Sequence, residues 1–412
     1  MANIRRRLFL GGAVAISALP AGMIRAQSTN TIKIGIVAPL SGSQAPVGQT
    51  ELEGAQIARD QINAQGGVLG KQIELVPLDD QANPTRAVAA VREHAGNGVN
   101  LLMGPCYTAT ATAVLPIIRE LKVVVVNPSS TDERLTHSLF NTNYFNFQDT
   151  NYVRFKADTK AIAEKFPDVT SWTAIIFEGA SGHEQRTTAK KFLTDWYSEL
   201  AKKQVSYIEP MFCALGTTDF KPQISQLMAS PAEGLVVTEP GSDGPTFYQQ
   251  MLSFGLQKKI KVFLDMAAEI NVGLALGSQV PPNIWIDSAW NPTAANNKLS
   301  RELGDEYTKR TGKVPFHYVG TSYTAIQFYA NAIKQTGGTD TEKIIQALED
   351  MHMETVKGPA YIRKEDHALI ADVYLYNLKP KKEAPGFDVD QSVTVHMADV
   401  IYPPTPGKEF TY

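Results

Sequence analysis

The chain has 412 residues, a formal net charge of −3 and only two cysteines, Cys106 and Cys213. Two cysteines exclude a disulfide-stapled scaffold, and we expect two free, buried thiols rather than a disulfide between them. A slightly acidic chain is poorly suited to nucleic acid, because that binding rests on lysine and arginine side chains that neutralise phosphates. The length exceeds what one hydrophobic core usually fills, so it predicts two domains.

The first 26 residues have the pattern of an export signal. Three arginines at positions 5–7 precede an apolar stretch over 8–23, and the small residue Ala26 closes the segment. Glycines and a proline interrupt the stretch, which therefore falls short of the roughly 20 apolar residues of a membrane-spanning helix. The run over 6–10 resembles a twin-arginine signal, and an ordinary secretory signal is the alternative.

Removal of this segment, with its four arginines and no acidic residue, takes the formal net charge from −3 to −7. No cysteine stands directly after the predicted cleavage point near Ala26, so the sequence offers no acceptor for a lipid anchor there. We therefore expect a protein that is free in the periplasm.

After the signal, β-rich apolar runs alternate with amphipathic stretches of helical spacing, as in a parallel sheet flanked by helices. The predicted strands of the first unit are 32–38, 72–78, 99–103 and 123–126. Gly66 and Gly67 end the first predicted helix. Asn83 and Pro84 are a helix cap followed by proline at the first helical position, and a third helix is predicted over 110–121.

A second unit of similar layout follows residue 148, so the pattern predicts two lobes. Its predicted strands are 172–177, 205–210, 234–238 and 261–264, and its predicted helices are 151–165, 184–202, 220–229 and 245–254. The chain continues with a strand over 284–287, helices over 296–310, 318–335 and 341–351, and β-rich runs at 360–362 and 372–376.

Catalytic and metal-binding motifs are missing from the sequence. It contains no Gly-x-Ser-x-Gly elbow, no Walker loop and no His-Glu-x-x-His, since Thr187 stands where the second zinc ligand would follow His183 and Glu184. We therefore expect a protein that is not an enzyme, with no catalytic residue, no metal and no cofactor.

Two loops rich in hydroxyl groups follow neighbouring predicted strands, one over 104–110 and one over 127–131. In open α/β sheets, ligands sit outside the carboxyl ends of the strands, where a helix N-terminus offers free N–H groups. Hydroxyl groups beside such an end can hold a carboxylate without lysine or arginine. Ordinary helix capping by serine and threonine is the alternative.

These features together resemble the branched-chain amino-acid-binding family of periplasmic receptors, a type I fold shared with amide- and urea-binding proteins. The resemblance is strongest over 54–56 and 60–70, where the stretch Asn63–Gly70 is the most specific part. It implies two Rossmann-like α/β lobes with parallel central sheets, joined by a three-segment hinge. The implied lobes are 27–147 with 288–355, and 148–287 with 356–412.

The resemblance also implies a binding site between the lobes. The ligand carboxylate would be held by the first lobe, through Tyr107, Thr108, Ser129 and Thr131, with Tyr318 as an aromatic wall. Less secure matches from the second lobe are Ser181, Glu239, Ser242 and Asp265. Of these, Glu239 and Asp265 are the candidate partners of a ligand ammonium, and solvated rim charges are the alternative for both.

The sequence departs from the branched-chain receptors at several of these positions. Val47, Ser181 and Pro240 stand where relatives often carry tyrosine, and Ala82 replaces the first cysteine of a small disulfide. Since each exchange removes ring volume, we expect a ligand bulkier than leucine, such as an aromatic amino acid or an aromatic carboxylate.

The implied function is that of the periplasmic receptor of an ABC-type importer for a branched-chain or other hydrophobic amino acid, or a related small carboxylate. We expect a monomer that delivers its ligand to a membrane permease and its ATPase. The alternatives are a receptor for aromatic carboxylates, short amides or urea, a periplasmic ligand sensor, and a periplasmic hydrolase.

Overall fold

A computed structural model describes residues 31–411, and the predicted export signal lies outside this range. The strands are β1 (Thr31–Ala38), β2 (Gln72–Asp79), β3 (Leu101–Met103), β4 (Val124–Asn127), β5 (Tyr144–Asn146), β6 (Ser171–Phe177), β7 (Ser206–Tyr207), β8 (Met211–Cys213), β9 (Gly234–Thr238), β10 (Val262–Asp265), β11 (Ile284–Ser288), β12 (His352–Thr355), β13 (Gly358–Arg363), β14 (Ala368–Ile370), β15 (Val373–Pro380) and β16 (Phe387–Val395).

The α-helices are α1 (Ala45–Ala64), α2 (Pro84–Gly96), α3 (Thr108–Ile118), α4 (Asn151–Lys165), α5 (Ala180–Trp196), α6 (Lys221–Ala229), α7 (Asp243–Phe254), α8 (Leu256–Lys259), α9 (Ile270–Leu276), α10 (Lys298–Thr311), α11 (His317–Thr336) and α12 (Thr341–Leu348). None of the helices in the described range is long and apolar enough to cross a membrane.

Local signals explain several helix ends. The Asn83 side chain accepts a hydrogen bond of 3.1 Å from the Arg86 N–H, which confirms the predicted cap of α2. Gly67, just after α1, has a φ of +76°, and a Cβ there would lie 2.0 Å from the Lys71 carbonyl oxygen. Only glycine fits this turn, so the predicted end of the first helix is confirmed.

The strands form two sheets, each mostly parallel. The first has the order β12-β13-β14-β5-β4-β3-β1-β2, and the second has the order β16-β15-β11-β10-β9-β6-β7, with β8 also paired to β6. Antiparallel pairing is confined to the β12–β13–β14 hairpins of the first sheet and to the β11, β15 and β16 end of the second. Two α/β units with parallel central sheets are therefore confirmed.

Both sheets bury apolar side chains on both faces. In β4, Val124 and Val126 pack with α1 and α11, whereas Val125 packs with α2 and α3. In the second sheet, Ile176 of β6 packs with α4 and α5, and Ile175 packs with α6 and α7. This alternation follows from the period of two residues in a strand, and it places the central strands between two helical layers.

The chain passes from one sheet to the other three times. The passages lie between β5 and β6, between β11 and β12, and between β14 and β15. We predicted the third passage after residue 355, but β13 and β14 still belong to the first sheet, where Ala368 pairs with Asn146 of β5. The hairpin after β12 therefore extends the first sheet before the chain crosses.

Candidate functional site

A cavity of about 240 Å³ is lined by the loops that follow strand ends in both sheets. Parallel sheets place ligands at this edge. Of the predicted site residues, six line the cavity: Tyr107, Thr108, Ser129, Thr131, Ser181 and Tyr318. A second cavity, of about 370 Å³, lies among α1, α10, α11 and β12, and none of the predicted residues lines it.

The wall from the first sheet is built from the two predicted hydroxyl loops. Asn127 ties them together, because its carboxamide oxygen accepts hydrogen bonds from the Ser129 and Ser130 N–H groups at 2.9 and 2.8 Å. Its Nδ2 donates to the Pro105 carbonyl at 2.6 Å. The helix that follows the first loop begins at Thr108, two residues earlier than we predicted, so the cavity meets the first turn of α3.

A buried acid lies directly behind this wall. Glu51 of α1 has no solvent exposure, and its carboxyl group accepts hydrogen bonds from the Ser129 hydroxyl and from the Cys106 thiol, the latter at 2.8 Å. Burial raises the pKa of Glu51 to about 7, although both hydrogen bonds lower it. The sequence contained one signal for it, since Glu51 occupies a position on the apolar stripe it shares with Ala55 and Ala58.

Aromatic rings form part of the cavity lining. Tyr318 lies at the start of α11, and its ring centroid is 5.1 Å from that of Phe316. Phe177 lines the cavity at the end of β6. The Tyr107 hydroxyl donates to Gln44 at 2.6 Å, which holds that ring at the edge of the first wall. Phe177 and Phe316 were not predicted.

The wall from the second sheet carries two charged residues that we did not predict, Arg154 and Glu269. The guanidinium of Arg154 donates through Nε to Asp287 at 2.7 Å and through Nη2 to the same carboxylate, and Nη2 also donates to the Met266 carbonyl. Although burial opposes its charge, Asp287 raises the pKa of Arg154, so the group stays a cation. Arg154 precedes Asp158 by four residues, a spacing that is typical of an exposed helical ion pair.

Glu269 is the acid that faces the cavity from this wall. It is 5% exposed, its Oε2 lies 2.8 Å from His317 Nδ1, and its Oε1 lies 4.0 Å from Arg154 Nη2. His317 begins α11 and therefore belongs to the first sheet's side, so this contact joins the two walls.

The predicted acids Glu239 and Asp265 are not among the cavity-lining residues. Asp265 instead holds the turn that presents Glu269, since its carboxylate accepts hydrogen bonds from the N–H groups of Ala267, Ala268 and Glu269. A hydrogen bond of 3.0 Å from the Tyr248 hydroxyl completes its shell. Burial raises the pKa of Asp265 to about 7 although these hydrogen bonds lower it.

Glu239 is fully buried in the second sheet's layer, beside the Cys213 thiol. Burial, with a smaller contribution from Asp243, raises the pKa of Glu239 to about 7. Ser242 precedes α7, where its hydroxyl contacts Asp243, and it also lies off the cavity. Glu239, Asp265 and Ser242 therefore lie off this cavity, and their predicted role in ligand binding stays a prediction.

Of the three positions where relatives often carry tyrosine, Ser181 and Pro240 line the cavity. Val47 packs on the core of the first sheet and is not among the lining residues. Both cysteines are free and buried, as predicted.

Comparison with a family sequence pattern, with known proteins and with solved structures gives results that agree. The sequence pattern of the family described as periplasmic binding protein matches residues 31–384. The Leu/Ile/Val-binding protein homolog 4 of Brucella abortus is 22% identical over 374 residues, which are 88% of this chain and 87% of that protein.

Solved structures of two such proteins share the fold. A branched-chain amino acid transporter substrate binding protein from Streptococcus pneumoniae, in complex with isoleucine, gives a TM-score of 0.74 at 22% identity over 89% of this chain and 99% of that one. A solute binding protein of an ABC transporter from Rhodopseudomonas palustris, in complex with 3,4-dihydroxy benzoic acid, gives 0.75 at 20% identity over 89% and 98%. The predicted resemblance is confirmed, and the chain belongs to the periplasmic binding protein family.

Proposed function

We propose that this protein is the exported receptor of an ABC-type importer and that it binds a hydrophobic or aromatic amino acid between two closing lobes. The observation that carries the proposal is the division of charge and hydrogen-bonding groups between the cavity walls. One wall offers hydroxyl groups and a helix N-terminus, and the other presents the carboxylate of Glu269.

The first wall suits a carboxylate. Thr108 and Thr131, which carry hydroxyl groups, line the cavity, and the first turn of α3 leaves backbone N–H groups without partners inside the helix. The partial positive charge of a helix N-terminus favours an anion there. No lysine or arginine lines this wall in the described part of the chain, so the carboxylate would be held by neutral donors.

The second wall suits an ammonium group. A cation taken out of water needs a nearby anion, and Glu269 is the acid on the cavity. Arg154 also lines this wall, but its charge is met by Asp287. The wall therefore offers Glu269 to a cationic group of the ligand rather than a free cation to a second carboxylate.

The space between the two walls favours a flat or bulky side chain. Phe177, Phe316 and Tyr318 supply aromatic surface, and Ser181 and Pro240 leave room that tyrosines would fill. An aromatic carboxylate without an amine is therefore the second candidate. The Rhodopseudomonas palustris relative, which binds 3,4-dihydroxy benzoic acid, has the same fold.

The remaining parts of the proposal are location, partners and assembly. The predicted export signal and the family support a periplasmic location and a role in binding rather than catalysis. We propose that the protein is a monomer that hands its ligand to a permease and an ATPase. A sensor would use the same cleft, and short amides or urea would bring no cationic group to Glu269.

A thermal-shift screen with amino acids, aromatic acids and short amides tests the function, because a ligand of the native state raises the melting temperature. Calorimetry then compares L-phenylalanine with 3-phenylpropionate, which lacks only the amine. We expect Glu269→Gln to weaken phenylalanine binding about tenfold or more, since a charged hydrogen bond contributes ~1.5–3 kcal/mol, and to spare 3-phenylpropionate.

Glu239→Gln is the matched control, because Glu239 is buried on the same side but lies off the cavity. Equal losses for both ligands in Glu269→Gln would contradict the ammonium assignment. A screen in which no carboxylate shifts the melting temperature would refute the proposed function itself.

A further inference from the structure

We propose that Glu51 is a positioning residue for ligand binding. Its side chain must be a neutral carboxylic acid for Ser129 to donate its hydrogen to the ligand carboxylate. This inference rests on the proposed function, because it assigns a protonation state to the same site. Glu51 does not line the cavity, and it would act through Ser129, which does.

The geometry leaves Ser129 one choice of hydrogen-bond direction. A serine hydroxyl has a single hydrogen to donate, and an ionised carboxylate only accepts. Ser129 Oγ is hydrogen-bonded to Glu51 Oε1. While Glu51 is ionised, the hydrogen of Ser129 therefore points away from the cavity and its lone pairs face the ligand.

Protonation of Glu51 reverses this direction. The acid O–H then donates to Ser129 Oγ, which frees the serine hydrogen for an acceptor in the cavity. Glu51 Oε2 keeps its hydrogen bond from the Cys106 thiol at 2.8 Å in both states. One proton from water is taken up for each ligand that binds an ionised receptor, and it ends on Glu51.

Within residues 31–411, no cationic side chain contacts Glu51. The titratable groups that face it are the Cys106 thiol and the Tyr107 phenol from the loop before α3, Asp80 from the loop after β2, and the Tyr318 phenol from α11. Asp80 adds negative charge, and burial raises the pKa of Glu51 to about 7. A carboxylate ligand next to Ser129 would add a further negative charge and favour the neutral acid again.

The isosteric variant Glu51→Gln separates the effect of the proton on Glu51 from the effect of the side chain's shape. Its amide N–H₂ donates to Ser129 permanently, and its oxygen still accepts from Cys106, so it mimics the neutral acid at every pH. We expect the dissociation constants of L-leucine and L-phenylalanine for the wild type to rise about tenfold from pH 6 to pH 8 by proton linkage. We expect a constant value for Glu51→Gln that equals the wild type at pH 6.

Glu239→Gln is the control for this experiment, since burial also raises the pKa of Glu239 to about 7 but the residue lies off the cavity. It should keep the wild-type pH profile. Calorimetry at pH 8 in buffers of different ionisation enthalpy should show proton uptake on binding to the wild type and none with Glu51→Gln.

The outcomes are distinguishable. Binding of leucine or phenylalanine with the same pH profile in wild type and Glu51→Gln overturns this inference and leaves the proposed function standing. Absence of binding by either amino acid and by 3,4-dihydroxybenzoate at pH 6 overturns both. Carbon-13 NMR of the glutamate carboxyls, assigned with the Glu51→Gln variant, supplies a ligand-free check, and a midpoint below pH 5 for Glu51 overturns the inference.

Discussion

Glu239 should make the stability of this protein depend on pH. It is fully buried, and no N–H or O–H group in the described range donates to either carboxylate oxygen. Its pKa is raised from 4.5 to about 7 by burial and then by Asp243. The folded state therefore holds the proton more tightly than the unfolded state, and the stability from this group is present below pH 4.5 and is lost as the pH rises to about 7.

The magnitude follows from the shift. At about 1.4 kcal/mol per pH unit, the difference in unfolding free energy between Glu239→Gln and the wild type should rise by about 3 kcal/mol over that window. Urea unfolding at half-unit steps from pH 4 to pH 8 measures it. The exposed position Glu302 of α10 supplies the control Glu302→Gln, which should run parallel to the wild type. Parallel curves for Glu239→Gln as well would refute the reasoning, because they would mean that the buried carboxyl binds its proton no more tightly than in the unfolded chain.

Two further predictions concern the binding cleft. Thr108→Ala and Thr131→Ala should each weaken the binding of L-phenylalanine or L-leucine about tenfold or more, as measured by calorimetry. Each variant would lose a hydrogen bond to a charged group, which contributes ~1.5–3 kcal/mol. Unchanged affinity in both folded variants would show that the hydroxyl loops only cap the helix. Solution scattering should show a smaller radius of gyration with a saturating amino acid than without it, because the walls of the cavity come from two different sheets. Identical radii of gyration would indicate a rigid cleft.

Local sequence patterns predicted most of the fold. They failed where a strand's position depends on distant parts of the chain or where its residues are mostly polar. Apolar runs of period two and the cap at Asn83 identify strands and helices within a few residues, because these signals do not depend on distant parts of the chain. The run at 360–362 predicts a strand but contains nothing that says which sheet it joins. Strand β16, Phe387–Val395, was missed because most of its residues are polar and exposed, as at a sheet edge.

The sequence also predicted the residues of one cavity wall better than those of the other. Thr108, Ser129 and Thr131 were found because two hydroxyl loops follow adjacent strands, and parallel strands bring such ends together. On the second wall the decisive question is which of several acids turns toward the cavity. Asp265 directly follows the predicted strand, but its carboxylate accepts hydrogen bonds from N–H groups of the turn. Glu269 lies four residues later and has a φ of +51°. A sequence does not show that backbone conformation, which is uncommon for a residue other than glycine.

Buried contacts near the first and third passages between the sheets bear on the proposed closure of the cleft. Lys357, in the turn between β12 and β13, donates to Asp149 at 2.9 Å, and both side chains are almost completely buried. Asp149 lies in the first passage, and Tyr374, just after the third, donates its hydroxyl to the Lys357 carbonyl. Breaking a buried ion pair leaves an uncompensated charge at a cost of about 3–5 kcal/mol, so we expect the first passage and the β12–β13 turn to stay together if the cleft opens. The proposed closure would then be a rotation about these contacts. Such a rotation separates Glu269 from the hydroxyl loops of the first wall, and a zwitterion that needs both walls would bind tightly only to the closed form.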